Sequence, residues 1–262
     1  MHFSTFCGLV LFSCGLVVAQ SDSTANVTQA FSQAHIVPGV IPVFAPVATL
    51  GVVFSDNSTG QQLNVTPGVN LTEAQTAREP QFFLNSSNST LLNQTFVLTI
   101  VDPDALTPQN PSLAQFRHFL SGGFRINGTT NGTLLVNVTA ALSDFIPPTP
   151  PAGSDPHRYI VLVFAQPPTF EDDSRAIVNS STPRQNFNIT AFAQTAQLGS
   201  PIAGNFFFTG PGDNSTGGSA SGTAGGSQPS STAPSAGSNG AFEVTGNLLR
   251  ALVPTGLLWF IL

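Results

Sequence analysis

Seven apolar runs of strand length, separated by Pro, Gly and Asn, organise the middle of this chain: Ala48 to Phe54, Gln81 to Leu84, Thr95 to Val101, His118 to Ile126, Leu134 to Val138, Tyr159 to Ala165 and Phe206 to Phe208. They are rich in β-branched and aromatic residues, and turns at this spacing favour antiparallel sheets. Helix signals are few. One short turn is predicted at Thr139 to Asp144; a second segment, Asn186 to Leu198, sets Phe187, Ile189, Phe192 and Ala196 at helical spacing behind Thr182-Pro183. No internal repeat is visible. The pattern predicts one mainly β domain with small peripheral helices over residues 34–208, after a polar leader over 20–33.

The two ends read differently from the middle. Phe6 to Val18 is a short apolar core, and Val17-Val18-Ala19 offers small residues to a signal peptidase, so residues 1–19 are expected to direct export and be removed after Ala19. Both cysteines, Cys7 and Cys14, lie in that segment. The mature chain is therefore expected to have no disulfide. A domain of this size buries roughly 70 % of its unfolded surface and can rely on its core instead. Residues 209–240 are almost wholly Gly, Ser, Thr, Ala, Pro and Asn and read as a stalk, roughly 30 Å end to end as a flexible coil. From Leu248 to Leu262 the chain is apolar, broken by Arg250 and Pro254. As a helix that tail spans only about 22 Å, short of the roughly 30 Å of a hydrocarbon core. Small residues at Asn239-Gly240-Ala241, a short spacer and the tail instead fit a signal for glycosylphosphatidylinositol attachment, with Asn239 ahead of Ser238 and Gly237, and residues 241–262 removed.

Charge is scarce: 8 % of residues, no lysine, net −6. Scattered arginines exclude phosphate-backbone binding, so nucleic acid is not an expected partner. Solubility needs another source, and sequons supply one. Asn57, Asn64, Asn70, Asn85, Asn88, Asn93, Asn127, Asn131, Asn179 and Asn214 are the candidate glycosylation sites; Asn26, Asn137 and Asn188 also head sequons, the last two among apolar residues and expected to be buried.

Two short stretches carry the candidate chemistry. Asp102-Pro103-Asp104-Ala105 follows one strand and runs on to Phe116-Arg117-His118-Phe119; Pro150-Pro151 precedes His157-Arg158-Tyr159 at the start of another. A carboxylate at one strand end and imidazoles at others converge if those strands are neighbours. In these stretches the chain resembles the phosphatidylethanolamine-binding protein family, whose hallmarks have the form DPDAP…HHF and GPP…GxHRY. The resemblance covers roughly residues 36–208. It implies an antiparallel β-sandwich with short helices at its edge and a small anion pocket on Asp102, Leu113, Phe116, His118, Pro150, Pro151, His157 and Tyr159. The chain departs from the pattern at Leu106, Leu113, Phe116, Arg117 and Asp155.

The chemistry of that set is coherent. Two imidazoles donate N–H groups to a phosphate or carboxylate, more strongly when protonated, and Asp102 would orient one ring. Phe116, Tyr159 and the proline pair would exclude water. Alternation along the strand sends Arg158 away from this pocket, toward an ion pair with Asp104; Asp155 is expected to repel an anion at the mouth or to pair with Arg117. No enzyme is expected, because neither G-x-S-x-G nor H-E-x-x-H occurs and the family is mostly one of binders and modulators; neither a metal nor a cofactor is expected. The leading function is a cell-surface protein that holds a small anion or lipid headgroup and is tied to the membrane by its anchor, in a setting that looks fungal. The alternatives are an inhibitor of a serine carboxypeptidase or other protease, acting through residues 20–41, and a wall or adhesion component in which the fold is scaffold.

Overall fold

The computed structural model describes residues 23–56, 59–127, 134–179 and 181–212. In chain order the elements are α1 (Thr24–Gln33), β1 (Thr49–Ser55), β2 (Gln62–Asn64), β3 (Val69–Leu71), β4 (Gln81–Asn85), β5 (Thr95–Asp102), β6 (Phe116–Ile126), β7 (Leu135–Asn137), β8 (His157–Ala165), α2 (Phe170–Ile177), α3 (Ile189–Thr195) and β9 (Ala203–Thr209), with a 3-10 turn at Ser89–Asn93. A six-stranded sheet has the order β3-β9-β8-β5-β6-β7 and a three-stranded sheet the order β2-β1-β4. Within the larger sheet only the β3/β9 pair is parallel; the others, and both pairs of the smaller sheet, are antiparallel.

β5 and β8 lie at the centre, and both their faces are covered. That is why Phe96 to Val101 and Ile160 to Phe164 are continuously apolar rather than alternating. On one face Leu98, Ile100, Val161, Val163 and Phe207 meet Leu50, Val52, Phe54, Phe82 and Leu84 of the small sheet. Val97, Val101, Ile160, Leu162 and Phe164 point the other way, onto Phe31, Ile36, Ile41, Phe44, Phe170, Ile189 and Phe192. The fold is thus a sandwich of two sheets with a helical layer behind the larger one. Asn205 ties the sheets together, its Nδ2 donating to the carbonyls of Leu50 and Val65 at 3.0 Å each.

The structure departs from the sequence reading in the helices and the short strands. Residues 24–33 are a helix rather than a polar leader, because Val27 and Phe31, four apart and on one face, enter the core. Phe31 stacks on Phe44 at 4.2 Å and meets Phe206 edge-on at 5.6 Å. A Cβ at Gly204 would lie 2.9 Å from the Phe31 ring, so glycine there is what lets α1 sit against the sheet. Thr139 to Asp144 is not helical; Ser143 bridges to Leu120 across the end of the sheet instead. α2 escaped notice because its acidic first turn, Glu171 to Asp173, hides one buried stripe of Phe170 and Ser174. β2 and β3 are three residues each and too short to show a pattern. Among the described residues no helix is long and apolar enough to cross a membrane. The signal segment, the stalk beyond residue 212, Asn239, the terminal tail and the sequons at Asn57, Asn131 and Asn214 lie outside the described residues; Thr209, expected to open the stalk, instead ends β9. Asn64, Asn70, Asn85, Asn88, Asn93, Asn127 and Asn179 are exposed. So is Asn188, which caps α3 by accepting from the Ala191 N–H at 2.9 Å, whereas Asn137 is half-buried and donates to Ser121 Oγ at 2.8 Å.

Candidate functional site

Antiparallel pairing brings the two hallmark stretches to one edge of the large sheet. β5 ends at Asp102 where its neighbours β6 and β8 begin, at Phe116 and His157. Strict alternation would still send His118 to the wrong face. Between the pairs Ile100 with Phe119 and Val101 with Arg117 the register shifts by one residue, and His118 is the extra one. This β-bulge turns His118 to the same side as Asp102 and Tyr159 and leaves Arg117 facing the helical layer.

The result is a cavity of about 150 Å³ lined by Asp102, Phe116, His118, Pro151, His157 and Tyr159, together with Ala105, Leu106 and Leu113 and with Ile146 and Thr149, which sequence reasoning did not single out. Pro150 is buried next to Pro151 but is not part of this lining. The rings form a short aromatic series: Phe116 lies 4.8 Å from His118, His118 meets Tyr159 edge-on at 5.0 Å, and His157 stacks on Tyr159 at 6.4 Å. Burial, then Asp102, raises the Tyr159 hydroxyl pKa, so the phenol stays neutral.

Hydrogen bonds decide which polar atoms are free. Asp102 is fully committed: Oδ1 accepts from the Asp104 N–H at 2.7 Å and Oδ2 from His157 Nδ1 at 2.8 Å. His157 is bound at both nitrogens, its Nε2 lying 2.9 Å from Ser154 Oγ. His118 Nδ1 donates to the Ile146 carbonyl at 2.7 Å, which fixes the tautomer and leaves Nε2 facing the cavity. A neutral His118 therefore presents a lone pair to a ligand, and only a protonated one presents an N–H. Burial lowers the His118 pKa from its ordinary value against the opposing pull of the Ile146 hydrogen bond and Asp102, while Arg184 and His157 lower it further.

Asp104 and Arg158 form the ion pair that alternation implied. Asp104 Oδ1 meets Arg158 NH2 at 2.6 Å, and Oδ2 accepts from Arg158 Nε at 2.9 Å and from its backbone N–H at 2.8 Å. The remaining arm, NH1, donates to the Ala34 carbonyl at 2.7 Å and so fastens the end of α1 to the wall of the cavity. Asp155 does not pair with Arg117: it accepts from Gln109 Nε2 at the surface, while Arg117 turns inward to Ser143. Among the described residues no group of three or more His, Cys, Asp or Glu is arranged to hold a metal. Asp102, His157 and Ser154 do stand in the order carboxylate, imidazole, hydroxyl that a serine hydrolase uses. Yet Ser154 is not among the cavity lining, and its hydroxyl donates to the Asp155 carbonyl at 2.8 Å, so its one proton is not reserved for the imidazole.

Comparison with known proteins identifies the family. The family model described as phosphatidylethanolamine-binding protein matches residues 54–207. The chain belongs to the phosphatidylethanolamine-binding protein family. Among curated relatives it is 33% identical over 173 residues to a 26 kDa secreted antigen of Toxocara canis, covering 64% of this chain and 60% of that one. It is 29% identical over 182 residues to protein FLOWERING LOCUS T of Arabidopsis thaliana, covering 70% of this chain and 91% of that one. Among solved structures, a carboxypeptidase Y inhibitor complexed with its cognate proteinase is 21% identical with a TM-score of 0.58, covering 71% of this chain and 96% of the other. A phosphatidylethanolamine-binding protein from Plasmodium vivax is 17% identical with a TM-score of 0.54 and covers 70% and 96%. These two likenesses establish the family's fold: a curled, mostly antiparallel β architecture with a few short helices, as the pattern of apolar runs implied.

Proposed function

We propose that this family member is a secreted, cell-surface binding protein that holds a small anion, such as the phosphodiester of a phospholipid headgroup, in the cavity at Asp102 and His118. The observation that carries the reading is the unpartnered Nε2 of His118, aimed into an apolar cavity between Phe116 and Tyr159. Protonated, it would give the anion a charge-assisted hydrogen bond in a setting that excludes water. At about 150 Å³ the cavity is small beside the roughly 300–1,000 Å³ of pockets that enclose whole ligands, so it suits a headgroup whose lipid tails stay outside. His157, whose Nδ1–H is given to Asp102, would be a second donor only with a proton on Nε2 as well and with Ser154 displaced; Asp102 positions that ring, and Leu113, Phe116, Pro151 and Tyr159 form the wall. The role in this reading is binding rather than catalysis, in keeping with the likeness to a carboxypeptidase inhibitor and a secreted antigen.

Export is supported by the apolar leader, by exposed sequons that replace scarce charge, and by the similarity to a secreted antigen. Attachment through Asn239 would hold the domain off the membrane on its stalk, beside the lipids or wall polymers it meets. Native mass spectrometry of the glycan-trimmed protein from its own host tests the reading. A retained phosphate or phospholipid is expected; a ligand-free protein that also fails to take up glycerophosphoethanolamine would overturn it.

A second reading, inhibition of a serine carboxypeptidase, is supported by the likeness to the carboxypeptidase Y inhibitor. The segment expected to act is not a free arm, however: Val27, Phe31, Ile36, Val40 and Ile41 are all buried in the core. An inhibitory surface would have to lie elsewhere on the domain, and titration against carboxypeptidase Y distinguishes the two readings. A scaffold in the cell wall is the third, and binding of any headgroup argues against it.

A further inference from the structure

The residue before His118 opens a different space. Arg117 is 1 % exposed, and its guanidinium reaches the wall of a polar cleft of about 440 Å³, which Arg184, Arg175, Ser143, Asp144 and Thr182 also line. Every partner of Arg117 is neutral. Its Nε donates to Ser143 Oγ at 2.7 Å, its NH2 and NH1 to the carbonyls of Thr182 and Pro183 at 3.2 and 3.4 Å, and its plane lies 4.9 Å from the Phe187 ring centre. Arg184 spends only NH1, shared among the carbonyls of Asp144, Arg117 and His118 at 2.8, 3.2 and 3.2 Å. Among the described residues neither arginine has a carboxylate within ion-pair distance.

This arrangement calls for an anion. A buried charge is unfavourable unless paired, and the chain shows with Asp104 how it pairs Arg158. Arg117 has no such carboxylate partner among the described residues, and burial together with the neighbouring Arg184 lowers its pKa to about 10. Arg175 is already engaged by Glu171 at 3.0 Å, and Asp144 offsets part of the charge from the rim. The unspent Nε and NH2 of Arg184 are the donors left over, and planar N–H forks of this kind match tetrahedral oxoanions.

We propose that this cleft is a second binding site, distinct from the His118 cavity, for a small oxoanion such as phosphate or sulfate, free or as the end of a monoester, held by Arg184 with Arg117 behind it. The two sites lie on opposite sides of β6 and share its backbone, because Arg184 donates to the carbonyls of both Arg117 and His118. Neutralising Arg184 also removes one of the charges that hold His118 down. Occupancy of the cleft therefore favours protonation of His118; this coupling, unlike the cleft itself, rests on the reading of the first cavity given above.

The test is a titration of the ¹⁵N-labelled protein with sodium sulfate at pH 7.5, following the arginine Nε–H signals by nuclear magnetic resonance. Saturable shifts at Arg117 and Arg184 are expected, with the exposed Arg78 and Arg125 unmoved as internal references. In Arg184→Gln the apparent affinity should fall at least tenfold, and in His157→Ala the arginine response should persist even if the first cavity no longer binds. Parallel titrations with inorganic phosphate and glycerol phosphate separate the sources: tighter binding of the ester points to an esterified ligand, equal binding to the free ion. Unsaturable drift of all arginine signals alike, or an Arg184→Gln protein with unchanged affinity, would overturn the proposal; should that variant fail to fold, the wild-type titration decides alone.

Discussion

Replacing Asp104 by Asn removes a charge and leaves the shape. The Asp104 side chain is 7 % exposed and that of Arg158 22 %. Three hydrogen bonds from Arg158, two of them from its guanidinium, converge on the carboxylate. Breaking one partner of a buried pair costs roughly 3–5 kcal/mol because the other charge is stranded. Arg158 keeps some water and its bond to Ala34, so a cost near the lower end, about 3 kcal/mol, is expected. The one tryptophan, Trp259, lies outside the described residues, and Tyr159 is the one tyrosine, so urea unfolding is best followed by far-ultraviolet circular dichroism. With a urea slope of about 2 kcal/mol per molar, the midpoint should drop by about 1.5 M. Replacing both partners, Asp104→Leu with Arg158→Met, should recover a large part of that loss, because no charge is then stranded. A loss below about 1 kcal/mol in Asp104→Asn, or a double variant as unstable as the sum of the singles, would refute the view that this pair anchors the cavity wall and α1.

Phe31→Ala should cost about 3–5 kcal/mol, since its fully buried ring stacks on Phe44, and denaturant unfolding reads the loss; a leader outside the core would lose almost nothing. His118 sets a pH dependence of stability. Its folded pKa is depressed, so above about 6.5 neither state protonates it, and as pH falls below that the unfolded chain takes up the proton first; stability should decline on acidification through this window, and less so in His118→Gln. Phosphatidylinositol-specific phospholipase should release the protein from membranes, and mass spectrometry of the mature chain should find no peptide containing Trp259; recovery of that peptide would refute the anchor.

Much of the large sheet was legible because its central strands are buried on both faces and leave unbroken apolar runs at Phe96 to Val101 and Ile160 to Phe164. That Arg158 turns away from the pocket followed from alternation, and the ion pair suggested with Asp104 is the one the fold makes. What could not be read was whatever breaks a period or depends on a distant backbone atom. The bulge that re-aims His118 is a one-residue shift in pairing, invisible along the strand. The tautomer of His118 is set by the carbonyl of Ile146, 28 residues away, to which sequence gives no pointer. Charge alone left Asp155 either to repel an anion or to pair with Arg117, and nothing in the sequence shows that the fold turns Arg117 inward among neutral acceptors. In α1 only Val27 and Phe31 are buried, too few apolar positions to distinguish the helix from a polar leader.

The central claim, that a protonated His118 holds an anion, is tested most directly by calorimetry with glycerophosphoethanolamine, a phosphodiester whose own charge does not change between pH 5 and 8. His118 Nε2 is a lone pair until protonated, and burial keeps its pKa below about 6.5 in the free protein. Affinity should therefore rise roughly tenfold per pH unit on acidification from pH 8 to about 6.5, about thirtyfold in all, with proton uptake on binding, and level off only below that. His118→Ala should abolish the pH dependence and most of the affinity at pH 5. Equal affinity at pH 5 and pH 8, or an unimpaired His118→Ala protein, would contradict the account.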